Sequence, residues 1–206
     1  MKKLLTATIA LCLILTGCSG SIKPEEAKNV RELRTMMEKT ADLPLYSECE
    51  NDEDLLFCFD LLDVNEYMKV TSDGSDYLLF NYEKSSMDAI ENIDKIDNGN
   101  GELSLNIDVI VNNTTGYGSG QKWRVILRLD DDYDHIKADD HELYEYDGGV
   151  FDITGGSGLC DKDLNIIIPP IYGLVAADGQ GNYRVENDEY QLATFDSTGK
   201  QLTDFA

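Results

Sequence analysis

Short strand-like segments after Pro44 are the feature that most restricts what this chain can fold into. From that proline onward, apolar or alternating runs of a few residues are separated by turn residues. In residues 103–111, apolar residues occupy every second position, which is typical of a half-buried strand. No long helical segments alternate with these runs, so antiparallel pairing is favoured over a parallel sheet. The sequence therefore predicts a mainly β fold of the α+β class.

Other strands are predicted from the same pattern of apolar runs bounded by turn residues. They cover residues 55–62, 66–71, 76–82 and 123–129. Asp73-Gly74 lies between the second and third of these runs, and an Asp-Gly pair in that position predicts a tight hairpin.

Two helices are also predicted. Pro24 suits the first turn of a helix, and this helix is expected to run through about Thr40. Its apolar residues recur at helical spacing, so one side should pack on the β body. A shorter helix is predicted for residues 87–96. The apolar residues of the first helix are Ala27, Val30, Leu33 and Met37.

The net charge excludes several classes of partner. The chain has 17 Lys and Arg residues against 40 Asp and Glu residues, which gives a formal charge of −23. A surface this acidic is repelled by phosphate groups, which argues against nucleic acid as a partner and against a surface lying flat on anionic lipid. The acidity is also consistent with cation binding or with a soluble outer face.

The first residues of the chain have the three-part layout of an export signal. Lys2 and Lys3 precede an apolar run from Leu4 to Leu15, and the small residues Thr16 and Gly17 follow it. The apolar run is too short to span a bilayer, which takes about 20 residues. We therefore expect the chain to be exported from the cytoplasm.

Leu15-Thr16-Gly17-Cys18 resembles the lipobox of bacterial lipoproteins. The resemblance implies cleavage after Gly17, a diacylglycerol thioether on Cys18 and a further acyl chain, such as palmitate, on the new amine. Two or more chains give stable anchoring. Residues 1–17 are then a signal peptide and 18–23 a lipidated tether at the extracytoplasmic face of the cell membrane. The alternative is an ordinary secretory signal that ends near a cysteine.

Three cysteines remain after Cys12 leaves with the signal and Cys18 takes the lipid. Cys49 and Cys58 flank an acidic stretch that could turn a hairpin, so a local disulfide between them is one possibility outside the reducing cytosol. Cys160 stands at an apolar strand position and is expected to be an inert core residue.

The carboxy-terminal segment is similar to a WG repeat. That family's unit places Trp-Gly before a strand ending in Asp, then a turn with Gly-Lys, an apolar strand, Pro-Pro and an aromatic residue. Ser157 stands in place of the first tryptophan and Leu164 in place of the turn glycine. Asp161 and Asp196 are 35 positions apart, a repeat-like period. The matching residues are Gly158, Asp161, Ile166 to Ile168, Pro169, Pro170 and Tyr172.

The resemblance implies hairpins packed on the preceding sheet and a binding or structural role. It divides the mature chain into residues 24–150, a helix plus an antiparallel β domain, and residues 151–206, a WG-repeat-like β segment. The two parts are expected to form one continuous β body, because repeats of this kind need neighbours to bury their faces.

The sequence contains no motif that identifies a catalytic centre. His-Glu-x-x-His, Gly-x-Ser-x-Gly, the phosphate-binding loop and Cys-x-x-Cys are all absent, so no catalytic residue is assigned. Clustered carboxylates are the ligands that calcium prefers. The calcium hypothesis rests on Asp130, Asp131, Asp132 and Asp134.

The sequence thus favours a non-enzymatic lipoprotein that binds an envelope protein or glycan, with no cofactor beyond its covalent lipid. One alternative is an acidic calcium-binding surface lipoprotein. A second alternative is an envelope hydrolase.

Overall fold

The computed structural model describes residues 22–37, 43–50, 52–84, 87–111 and 121–206. These residues form a mostly β fold built from antiparallel hairpins, as predicted. The strands are β1 (Leu45–Ser47), β2 (Glu66–Ser72), β3 (Ser75–Lys84), β4 (Met87–Gly99), β5 (Glu102–Val111), β6 (Gln121–Leu129), β7 (His135–Ala138), β8 (His141–Glu145), β9 (Gly148–Ile153), β10 (Gly156–Asp161), β11 (Ile166–Tyr172), β12 (Leu174–Ala177), β13 (Asn182–Glu186) and β14 (Leu192–Asp196).

One eight-stranded sheet, in the order β1-β6-β3-β2-β8-β7-β5-β4, folds back on itself. Its β6-β3-β2 half faces its β7-β5-β4 half across a core that contains Phe80, Leu127, Leu105 and Ile136. We call this the sandwich core. Most neighbouring strands are antiparallel, whereas β1 with β6, β2 with β8 and β5 with β7 are parallel.

A second core, the central core, lies on the other side of the β6-β3-β2 half. Leu79 and Ile126 face this core, while their strand neighbours face the sandwich core. Because both of its faces are covered, β3 is buried continuously from Tyr77 to Tyr82. Asn81 lies within this run, and its Nδ2 donates a hydrogen bond of 2.8 Å to the Leu62 carbonyl.

Two three-stranded sheets, β9-β10-β11 and β12-β13-β14, complete the fold. Cys160 of β10 faces the central core, and Leu159 faces a C-terminal core shared with Val185 and Phe195. The predicted boundary between residues 150 and 151 falls within β9, and the central core contains residues from both sides of it.

The predicted helix from Pro24 to Thr40 is wrong. Its described part, which ends at Met37, contains only the short 3-10 helix Val30–Leu33. The four apolar residues are nevertheless buried, as expected of a face packed on the body. Three of them are spaced by three residues, a spacing that also fits the 3.0-residue turn of a 3-10 helix.

Backbone hydrogen bonds explain why this segment is not an α-helix. Val30 N–H donates to the Leu164 carbonyl at 2.9 Å, next to the start of β11. Thr154 N–H donates to the Met36 carbonyl at 2.7 Å, next to the end of β9. Residues 28–37, which we call the strap, therefore cross one face of the β9-β10-β11 sheet and bond to both of its edges.

The predicted helix at 87–96 is also wrong, because these residues belong to β4. Met87, Ile90 and Ile93 are buried at a spacing of three residues, which resembles a helical pattern. In the structure the spacing arises from irregularities in the pairing with β5, between Met87 and Ala89 and between Ile90 and Asn92. Each bulge inserts an extra residue and so converts the two-residue period of a strand into three.

The predicted strand at 55–62 is also wrong, because a helical segment lies where a strand was expected. Its centre is the 3-10 helix Leu56–Asp60, in which Phe57, Cys58 and Phe59 are buried in succession. A short continuous apolar run does not distinguish a strand from a buried helical turn by its periodicity.

The hairpin at Asp73-Gly74 and the strands at 103–111 and 123–129 are confirmed. Asp73 and Gly74 have φ values of 50° and 76°, which is the left-handed backbone of a two-residue hairpin turn. They connect β2 to β3, while the strands at 103–111 and 123–129 correspond to β5 and β6.

Candidate functional site

Four five-residue turns in the carboxy-terminal segment share one hydrogen-bonding pattern. In each, an Asp or Asn side-chain oxygen accepts from the backbone N–H groups two and four residues later, and the backbone N–H of the first residue donates to the carbonyl of the fifth. Asp161 Oδ1, for example, accepts from Asp163 at 2.9 Å and from Asn165 at 2.8 Å. Short polar side chains that bond their own backbone fix turns in this way. The turns begin at Asp161, Asp178, Asn187 and Asp196.

The fourth residue of every one of these turns has a left-handed backbone. Glycine fills this position at Gly181 and Gly199, with φ values of 87° and 79°. Leu164 and Tyr190 fill it in the other two turns, with φ values of 64° and 62°. A side chain with a Cβ is disfavoured there by about 1–2 kcal/mol. Leu164 is buried in the central core, which offsets the strain, but Tyr190 is 84% exposed.

Two other exposed apolar residues lie at the end of the sheet that carries the Tyr190 turn. This turn connects β13 to β14, and Leu192 follows Tyr190 by two positions. Leu174 of β12 pairs with Glu186 of β13, which in turn pairs with Leu192, so the two leucines share one row across the sheet. Both leucines are exposed. We call Leu174, Tyr190 and Leu192 the Tyr190 surface.

The sheet that carries this surface is fixed from behind and along one edge. Tyr172, Phe195 and Phe205 form an aromatic cluster with ring centroids 5.9–6.2 Å apart. The last residue of the chain, Ala206, exchanges backbone hydrogen bonds with Leu192 and so covers the outer edge of β14. The Tyr190 turn is therefore presented from a rigid base.

A cavity of about 460 Å³ lies elsewhere, where Asp139 and His141 meet Lys84 and Asn106. Asp139 Oδ2 accepts from the Tyr82 hydroxyl at 2.8 Å and from Lys84 Nζ at 3.3 Å. Its Oδ1 accepts from the Ile107 N–H at 3.0 Å.

Asp139 thereby connects β3 to β5 across the folded sheet. Partial burial acts to raise the pKa of its carboxyl, but the Ile107 N–H, the Tyr82 hydroxyl and the Lys84 ammonium together hold that pKa below its ordinary value. Burial and the hydrogen bond to Asp139 raise the pKa of Tyr82. Because three donors from β3 and β5 converge on it, this carboxylate acts as a structural crosslink.

The four aspartates of the calcium hypothesis lie in the loop between β6 and β7, and all are exposed. Asp132 pairs with Lys69 at 2.7 Å, and this contact lowers the pKa of Asp132. Asp130 lines a cavity that it shares with Lys95 and Arg128. Within the described ranges, no three or more His, Cys, Asp or Glu side chains are grouped so as to hold a metal ion. Calcium binding by Asp130, Asp131, Asp132 and Asp134 stays a prediction.

Cys49 and Cys58 are free thiols in the structure, so the predicted disulfide is not formed in it. Both are buried in the central core, and burial raises the pKa of Cys58 to about 12. Cys160 is also a buried free thiol, with its Sγ 3.3 Å from the Tyr146 hydroxyl. Cys18, the predicted lipidation site, lies outside the described residues.

The turns at Asp178 and Asn187 and the crosslink at Asp139 were not predicted from the sequence. Each of the four turns begins with Asp or Asn and has Asn, Gln or Lys four positions later. A search of the sequence for that spacing would have identified all four turns. The contacts of Asp139 have no local signal, because Tyr82 and Ile107 are far from it in the chain.

Comparison of the chain with protein-family models, curated proteins and solved structures gives no match. In the part of the chain that the structure describes, no helix is both long enough and apolar enough to cross a membrane.

Proposed function

We propose that this protein is a lipid-anchored extracytoplasmic lipoprotein with no catalytic role, which binds an envelope protein or glycan through the Tyr190 surface. The observation that carries the binding role is Tyr190, a large aromatic residue that is exposed on a left-handed backbone. The turns at Gly181 and Gly199 have the same geometry without that strain.

The strain at Tyr190 supports binding because the side chain gives the fold little in return. Strained backbone persists where the surrounding structure holds it, and it clusters at sites of function. Tyrosine is also enriched at the centres of binding surfaces, since it combines a large apolar area with a polar tip. Leu174 and Leu192 extend the apolar area at the same end of the sheet.

The lipobox supports the anchored location, and the described structure adds a limit on distance. Ile22 is partly buried against the central core. Ile22 is four positions after Cys18 in the sequence, a span of at most about 14 Å when fully extended. The lipid on Cys18 would therefore hold the body close to the membrane.

Replacing Cys18 by serine should abolish acylation. Cells grown with an alkyne-tagged fatty acid should label the wild-type protein, and the Cys18→Ser variant should carry no label, because the thioether needs the thiol. Cys12→Ser is the matched control and should keep the label, since Cys12 leaves with the signal peptide. Equal labelling of the wild type and Cys18→Ser, or an unlabelled wild type, would contradict the anchor.

Replacing Tyr190 by glycine should stabilise the protein by about 1 kcal/mol and abolish partner capture. Glycine removes the clash between Cβ and the backbone at this φ. Thermal unfolding measures the first effect, and crosslinking on intact cells followed by electrophoresis measures the second. We expect a crosslinked species with the wild type and none with Tyr190→Gly.

Tyr144→Gly is the control, because Tyr144 is 64% exposed on β8. Glycine in a strand interior is destabilising by roughly 0.5–1 kcal/mol, so this variant should be less stable yet keep the crosslinked species. The binding role is wrong if Tyr190→Gly retains the crosslinked species at the wild-type level.

A further inference from the structure

A groove of about 260 Å³ runs between the strap, β2 and the turn that begins at Asp161. Three cations line it, namely Arg31, Lys69 and Lys162, together with Asp163. We call it the basic groove. It is separate from the Tyr190 surface, whose residues do not line it.

The three cations come from distant parts of the chain and are placed by backbone contacts. Arg31 belongs to the strap, and Val30 beside it is bonded to the Leu164 carbonyl. Lys162 lies within the turn that Asp161 fixes through its side chain. Lys69 extends from β2, in the middle of its pairing with β3. The groove is therefore assembled by the folded backbone.

The charge of the groove contrasts with that of the whole protein. Acidic residues outnumber basic ones by 40 to 17, so a groove with three cations runs against the composition. Lys69 is neutralised by Asp132 at 2.7 Å. For Arg31 and Lys162, no carboxylate of the described residues lies within 4.0 Å. Two cations thus face the groove without an ion-pair partner in the described structure.

We propose that the basic groove binds a phosphate-class oxyanion, either a free phosphate or the phosphate of a lipid headgroup. The planar guanidinium of Arg31 suits two oxygens of a phosphate, and the Lys162 ammonium supplies a point charge in the same groove. Lys69 also lines the groove, but its charge is paired with Asp132. The Asp163 carboxylate lines the same groove and opposes the binding of an anion, so the two unpaired cations must outweigh it.

Overall charge repels phosphate at long range, whereas the groove acts at short range. Repulsion between exposed charges is screened within about 10 Å at 0.1 M ionic strength. Binding is therefore expected at physiological salt, with its selectivity set by the groove.

The test is a calorimetric titration, in which inorganic phosphate is added to the detergent-solubilised mature protein at constant ionic strength. We expect saturable binding that weakens roughly tenfold in Arg31→Gln and in Lys162→Gln, as the loss of a charge-assisted hydrogen bond predicts. Arg34→Gln is the matched control on the same segment, because Arg34 pairs with Asp54 at 3.3 Å and does not line the groove. Lys200→Gln is the second control, at a turn of the same kind.

Glycerophosphoglycerol, a soluble phosphodiester headgroup, distinguishes the two sources. Tighter binding of this diester than of inorganic phosphate assigns the groove to lipid headgroups, and the reverse order assigns it to free phosphate. The proposal is overturned if neither probe binds the wild type saturably, or if Arg34→Gln and Lys200→Gln weaken binding as much as the groove variants. Thermal unfolding of each variant without ligand checks that the groove variants are folded.

Discussion

Replacing Leu33 by alanine should lower the free energy of unfolding by about 2–5 kcal/mol, the usual cost of a cavity in a packed core. Leu33 is 0% exposed and lies in the central core, where the strap meets residues of β3, β6 and β9. The loss should be at the high end of this range, because the strap is bonded at both ends and cannot collapse freely into the cavity. The free energy of unfolding is measured by urea denaturation, monitored by tryptophan fluorescence or circular dichroism.

Leu202→Ala is the matched control for Leu33→Ala. Leu202 is 49% exposed near the end of the chain, so its truncation should change the free energy of unfolding by no more than about 0.5 kcal/mol. A loss below about 1 kcal/mol for Leu33→Ala would show that the strap does not contribute to the core as described.

Replacing Asp139 by alanine should destabilise the protein by roughly 2–4 kcal/mol, because hydrogen bonds to a charged acceptor are strong and their donors are left unpaired. The donors are the Tyr82 hydroxyl, Lys84 Nζ and the Ile107 N–H. Asp139 also has a φ of 50°, which aspartate and asparagine tolerate better than most residues. Asp139→Asn keeps the backbone preference, but it removes the charge and replaces one of the two accepting oxygens by an NH2 group.

The comparison with Asp139→Asn also predicts a pH dependence. The pKa of Asp139 is lower in the folded protein than its ordinary value of 3.8. The ionised carboxylate therefore stabilises the fold above that ordinary value, and the contribution is lost as the pH falls through the folded-state pKa. The difference in unfolding free energy between wild type and Asp139→Asn should shrink from pH 6 towards pH 3. A difference that stays constant over this range would contradict a role for the charge.

The parts of the fold that were predicted correctly are those with a local signal. Asp73-Gly74 specifies its turn by backbone preference alone, and residues 103–111 show a strand period undisturbed by bulges. The predictions for 24–40 and 87–96 failed because distant contacts decide those segments, whereas the prediction for 55–62 failed because a short continuous apolar run does not distinguish a strand from a helical turn. A window of neighbouring residues does not show that the strap bonds to the sheet edges at β9 and β11. Nor does it show that β4 pairs with β5 through bulges.

Within the candidate site, too, only the residues with a local sequence signal could be predicted. Asp161 and Asp196 were recognisable because the turns follow a repeated pattern along the chain. The strain at Tyr190 could not be predicted, because it is visible only in the backbone angle. The common groove of Arg31 and Lys162 could not be predicted either, because it depends on where the strap crosses the sheet. The spacing of Ala27, Val30, Leu33 and Met37 predicted a buried face, and that part was correct.

The two-ended attachment of the strap also determines how the molecule responds to force. A pull from the direction of Ile22 reaches the Lys28 carbonyl first, which accepts from the Ile166 N–H at 2.8 Å. The load enters β11 at this bond and the turn before β11 at the bond from Val30 to Leu164, before it can reach the attachment beside β9. Tension on this end of the chain is thus borne by the β9-β10-β11 sheet, and the folded eight-stranded sheet is mechanically shielded behind it.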